Sequence, residues 1–192
     1  MRAIGNVEAY STVSLKSRVD GQLSAVYFQE GRDGKKGELL FSIDPRPFEE
    51  AVRQAEANLA RDVVQADNAG IDAQRYDELF KEELVSKQQY DKVKTNYEAL
   101  KAIVKADRAA LENAKLQLQY CYLRSAMDGR MGSILVNQGN MIKANDTVMA
   151  VINQISPIYV SFSVPEQELT RIKKAMRSLS PTVNSDSLQG PK

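Results

Sequence analysis

The chain has 192 residues, 43% hydrophobic and 27% charged, enough for one ordinary domain or two small ones. Its 26 basic and 25 acidic residues leave a net charge of +1, which removes the electrostatic reason to expect nucleic acid or an anionic membrane surface as partner. With no histidine and a single cysteine, Cys121, the usual proton shuttles, zinc clusters and disulfides within the chain have no raw material.

Residues 7–19 alternate, with Val7, Val13, Leu15 and Val19 on one parity and Glu8, Ser14, Lys16 and Arg18 on the other, the period of a half-buried strand. Short strands follow over 22–29 and 39–43, separated by turns at Gly21, Gly31, Gly34 and Gly37. Asp44 and Pro45 close this section, and Glu49 and Glu50 stand where a helix N-terminus favours negative charge.

Two long helical runs come next, interrupted only by Gly70. In the first, Phe48, Val52, Ala55, Leu59, Val63, Ala66, Ala73, Tyr76 and Phe80 recur at the three-four spacing of a coiled-coil seam. In the second, Tyr90, Val93, Tyr97, Leu100, Val104, Leu111, Ala114 and Leu118 repeat it. Between them, Ser86 and Gln89 form a capping-box pattern after a break over 81–85. Two matched stripes joined by a short turn imply an antiparallel hairpin with arms of roughly 50 Å at 1.5 Å per residue.

After the hairpin the β pattern returns as a copy. Sliding residues 17–43 forward by 108 positions superposes Ser17, Asp20, Gly21, Gly31 and Lys35 on Ser125, Asp128, Gly129, Gly139 and Lys143. The apolar positions agree as well, Leu23 with Met131, Phe41 with Met149 and Ile43 with Val151. Neither copy can bury its apolar face alone, so the expectation is one β-sandwich of two halves with the hairpin inserted between them. Met127, Met131, Met141 and Met149 are expected in its core, and Cys121 as a small strand residue.

From Ser156, a strand carrying Ile158, Val160, Phe162 and Val164 is closed by Pro165. A short amphipathic helix over 166–179 presents Leu169, Ile172 and Met176, and the polar tail from Ser180 reads as disordered. No apolar run approaches the ~20 residues that span a bilayer, and no basic-then-apolar leader opens the sequence, so an export signal or anchor is expected to be absent from this chain. Gly31, Gly34 and Gly37 precede a strand, unlike a phosphate-binding loop, and the carboxylates of the hairpin lie on solvated faces. Enzyme chemistry, a metal and a cofactor are therefore not expected.

A two-half sandwich resembles the biotinyl and lipoyl carrier fold, but the junction that holds the modified lysine in carriers is occupied here by the hairpin. The ordered motifs Val19-Asp-Gly-Gln-Leu23, the 29–37 glycine turn, Ile43-Asp-Pro45, Leu84-Val-Ser-Lys-Gln-Gln-Tyr90, Ala126-Met-Asp-Gly-Arg130 and Pro157-Ile-Tyr-Val-Ser-Phe162 resemble the periplasmic adaptor subunits, or membrane fusion proteins, of tripartite efflux pumps. Met127 stands where that family commonly has proline. The resemblance implies an α+β chain: a two-half lipoyl-like β-sandwich over 1–44 and 121–155, interrupted by the helical hairpin over 45–120, and the start of a β-barrel domain over 156–192. It further implies a ring of identical subunits linking an inner-membrane transporter, of the resistance-nodulation-division multidrug class, to a TolC-type outer-membrane channel. An adaptor of an ABC-type exporter, a lipoyl or biotinyl carrier-like domain and a purely structural coiled coil are the alternatives. Arg75, Leu79 and Ser86 have the family's channel-docking separations of four and seven, and are its expected docking residues.

Overall fold

The computed structural model describes residues 5–162. In chain order they form β1 (Gly5–Lys16), β2 (Gly21–Val26), β3 (Asp33–Gly34), β4 (Leu39–Ile43), α1 (Arg46–Lys81), α2 (Lys87–Tyr120), β5 (Tyr122–Arg124), β6 (Gly129–Ile134), β7 (Met141–Ile142) and β8 (Val148–Phe162). Two compact units partition the chain, Ser11–Gln154 and the flanks Met1–Tyr10 with Ile155–Lys192. In the flanking unit the rings of Tyr10 and Tyr159 stack with centroids 5.0 Å apart, and the Ser161 hydroxyl donates to Glu8. There Val7, expected on the buried parity of the first strand, is exposed, as are Ile158 and Val160. The amphipathic helix expected over 166–179 and the tail beyond it lie outside the described residues.

The strands form two four-stranded sheets, ordered β1-β8-β6-β3 and β5-β4-β2-β7. The offset of 108 converts one order into the other strand by strand: β5 corresponds to β1, β4 to β8, β2 to β6 and β7 to β3. Each sheet therefore takes its two central strands from one half and both of its edge strands from the other. The contacts obey the same exchange. Asp20 accepts from the Ala144 amide and Asp128 from the Lys36 amide, both at 2.7 Å. The Gly31 amide donates to the Met131 carbonyl and the Gly139 amide to the Leu23 carbonyl, both at 2.8 Å. Gly37 and Asn145, equivalent by the offset, both have positive φ, 84° and 59°. Each half satisfies backbone groups of the other, which is why neither can close alone.

Both sheets contribute to a single core. Leu23, Leu40, Phe41 and Ile43 meet Met131, Ile142, Met149 and Ile152, each no more than 1% exposed. Met127 packs against this core, but Met141 is exposed. In the two-residue strand β7 only one parity faces inward, and Ile142 holds it. The repeat pairs Met141 with Asp33, itself a surface residue.

The two helices, of 36 and 34 residues, pack on each other, and the end of α2 lies beside β5. Phe48 and Tyr120, at their sheet-proximal ends, pack against the core. The glycine inside α1 has a packing reason: a Cβ on Gly70 would stand 3.0 Å from Tyr97 Cε2, so its absence lets the α2 tyrosine lie against the α1 backbone. One seam position differs from the sequence reading. Asp62, not Val63, is buried between Leu59 and Ala66, and Ala69 continues the line.

Candidate functional site

The distal turn of the hairpin concentrates the unusual local structure. Helix α1 stops at Lys81 with a Schellman arrangement: the Leu84 amide donates to the Leu79 carbonyl at 2.9 Å and the Glu83 amide to the Phe80 carbonyl at 3.1 Å. Glu83 occupies the left-handed position at φ 60°. Helix α2 then starts at the capping box expected from the sequence. Ser86 Oγ accepts from the Gln89 amide at 3.3 Å, and Gln89 Oε1 accepts from the Ser86 amide at 3.2 Å.

The two helix ends are fastened below the turn by aromatic and polar contacts. Phe80 and Tyr90 stack nearly parallel, centroids 4.8 Å apart and 9° between planes. The Tyr90 hydroxyl donates to Asp77 at 3.2 Å, and Lys81 pairs with Asp77 at 2.6 Å. Lys94 reaches the same tyrosine, donating to its oxygen at 3.3 Å. The Lys81 ammonium, with help from the Tyr90 hydroxyl, holds the Asp77 carboxyl below the usual range. These contacts fix which way the surface of the turn faces.

On this frame, Arg75 and Leu79 lie one turn apart near the end of α1, and Ser86 caps α2. Arg75 is exposed and pairs with Asp72 at 3.0 Å, an exposed i,i+3 contact that holds the guanidinium weakly. Leu79 is half-buried, and Ser86 is exposed with its hydroxyl committed to the cap. Leu84, at 66% exposed, is a large apolar side chain on the turn that periodicity could not single out, because it falls between the two helical registers.

A family model described as the RND MFP, alpha-helical hairpin domain, matches residues 51–121, the greater part of this hairpin. The multidrug resistance protein MdtA of Proteus mirabilis is 40% identical over 179 residues, 93% of this chain and 44% of that protein. MdtA of Pectobacterium atrosepticum is 41% identical over 184 residues, 95% of this chain and 45% of that protein. The chain belongs to the membrane fusion proteins. A crystal structure of a MacA-MexA chimera, carrying the Pseudomonas aeruginosa MexA alpha-hairpin domain, is 31% identical to this membrane fusion protein. It superposes with a TM-score of 0.60 over 86% of this chain and 56% of its own. The chain thus spans less than half the length of the two curated relatives, 44% and 45%. Among its described residues no helix is long and apolar enough to cross a membrane.

Proposed function

We propose that this membrane fusion protein is a non-catalytic periplasmic adaptor that joins an inner-membrane transporter of the resistance-nodulation-division multidrug class to a TolC-type outer-membrane channel. The observation that carries the reading is the long hairpin itself, which matches the hairpin domain of that class and occurs in relatives named as multidrug resistance proteins. A hairpin with arms of roughly 50 Å suits a spacer between two partners. Residues 1–44 and 121–155 would be the two halves of a lipoyl-like sandwich that packs side by side in a ring of identical subunits, with 156–192 the start of a β-barrel domain.

Docking would fall to Arg75, Leu79 and Ser86. The guanidinium of Arg75 can exchange its exposed Asp72 partner for partner carbonyls or carboxylates, Leu79 can enter an apolar groove, and Ser86 can meet backbone at the channel's helical end. Substituting Arg75 with Asp in the complete protein is expected to abolish drug resistance conferred by the pump while leaving the circular dichroism spectrum unchanged. Retained resistance would defeat the docking assignment.

A further inference from the structure

The seam of the hairpin holds two carboxyl groups at its middle. At three-four spacing α1 presents Leu59, Asp62, Ala66 and Ala69, and α2 presents Leu100, Val104, Asp107 and Leu111, so both aspartates occupy positions that ordinarily take apolar side chains. Asp62 is 6% exposed, and its two oxygens accept from Arg61 at 2.7 and 2.9 Å. Asp107 faces Asp62 within hydrogen-bonding reach, and its Oδ2 is enclosed with no hydrogen-bond partner among the described residues. Val104 and Leu111, one turn to either side of Asp107, are buried.

Two ionised carboxylates in such a place repel each other, and an enclosed acceptor without a donor adds an unmet desolvation cost. One proton removes both faults. Placed on Asp107, it makes that carboxyl a donor to Asp62, which keeps its charge and its Arg61 partner. We infer that Asp62 and Asp107 form a proton-binding site that clasps α1 to α2 and holds one proton in the folded hairpin.

The charged groups facing Asp107 from α1 are Asp62 and Arg61, while on α2 Lys105 and Arg108 flank it and are exposed. The hydrogen bond with Asp62, then burial, push the Asp107 carboxyl up, against a smaller opposing pull from Arg61. Arg61, and then the hydrogen bond with Asp107, hold Asp62 down. A carboxyl raised on folding contributes stability that is lost as pH rises through its folded value. A lowered one contributes stability that is lost as pH falls through its folded value. The pair is therefore strongest with one proton bound, and the hairpin weakens as pH rises from about 4 through the raised Asp107 value.

The absence of histidine removes one competing titration. Thermal unfolding of the 192-residue chain, followed by far-ultraviolet circular dichroism from about pH 4 upward, is expected to show a melting temperature that falls as pH rises relative to that of Asp107→Asn. The amide of that variant donates to Asp62 at every pH. In carbon-13 spectra the Asp107 carboxyl should titrate above the ordinary value of about 3.9, and should return toward it in Asp62→Asn, a readout that stands even if Asp107→Asn fails to fold. Equal pH profiles in wild type and Asp107→Asn, or an Asp107 carboxyl titrating at or below about 3.9 in the wild type, would overturn the proposal.

Discussion

Glu83 holds a backbone conformation that glycine usually fills. Its φ of 60° lets the Leu84 and Glu83 amides reach back to Leu79 and Phe80, so the strain at one residue satisfies two carbonyls at the end of α1. A non-glycine residue in that region costs about 1 kcal/mol. Glu83→Gly is therefore expected to stabilise the chain by about 1 kcal/mol, measured as a rise in the denaturant midpoint, and a fall would show that the Glu83 side chain contributes contacts of its own. At this scale the sequence was readable where a side chain alone decides the outcome. The Ser86 and Gln89 cap follows from two residue types at one spacing. Asp62 was not readable, because an apolar pattern favours neighbouring Val63, and what makes a carboxyl tolerable in the seam is its pairing with Arg61 together with the facing Asp107. Cys121 is fully buried, and burial pushes its thiol up to about 11, so it stays protonated and unreactive at neutral pH.

At the scale of elements, the interlocking of the two β halves matters most. The offset of 108 was legible because turn residues and core positions recur together, and the sheet orders repeat it strand by strand. The exchange of β3 and β7 between halves was not legible, since two-residue strands carry too little pattern to reveal their neighbours. The same closeness sets a test. A Cβ on Gly129 would come 2.7 Å from the Asn153 carbonyl oxygen, which is backbone in β8 and cannot turn aside. At the equivalent Gly21 the nearest atom, 2.5 Å away, is Ile43 Cγ2, a branch methyl of a stiff, fully buried core side chain. Gly129→Ala and Gly21→Ala are each thus expected to cost about 1–3 kcal/mol, read from denaturant midpoints. A negligible cost at Gly129 would mean that β8 gives way more readily than its pairing with β6 suggests.

In the molecule as a whole, the hairpin and the β halves belong to one unit, Ser11–Gln154, in which α1 and α2 lie on each other and meet the β core at their sheet-proximal ends, through Phe48 and Tyr120. Long helices with a single narrow seam and otherwise charged faces leave their distal turn free of the core, and that turn carries exposed Arg75, Ser86 and Leu84. The hairpin was legible in outline because a three-four period sustained over some ten turns has few other solutions. The stacked Phe80 and Tyr90 and the Asp77 network that orient the turn depend on pairings between helices that no single period encodes. The central claim is that this turn is the end that meets an outer-membrane channel. Its most direct test is photocrosslinking in cells making the complete protein, with a benzophenone side chain placed at Leu79 or, for comparison, at mid-hairpin Ile103. The account predicts a covalent adduct with the channel from position 79 and none from position 103; no channel adduct from 79, or equal adducts from both, would contradict it.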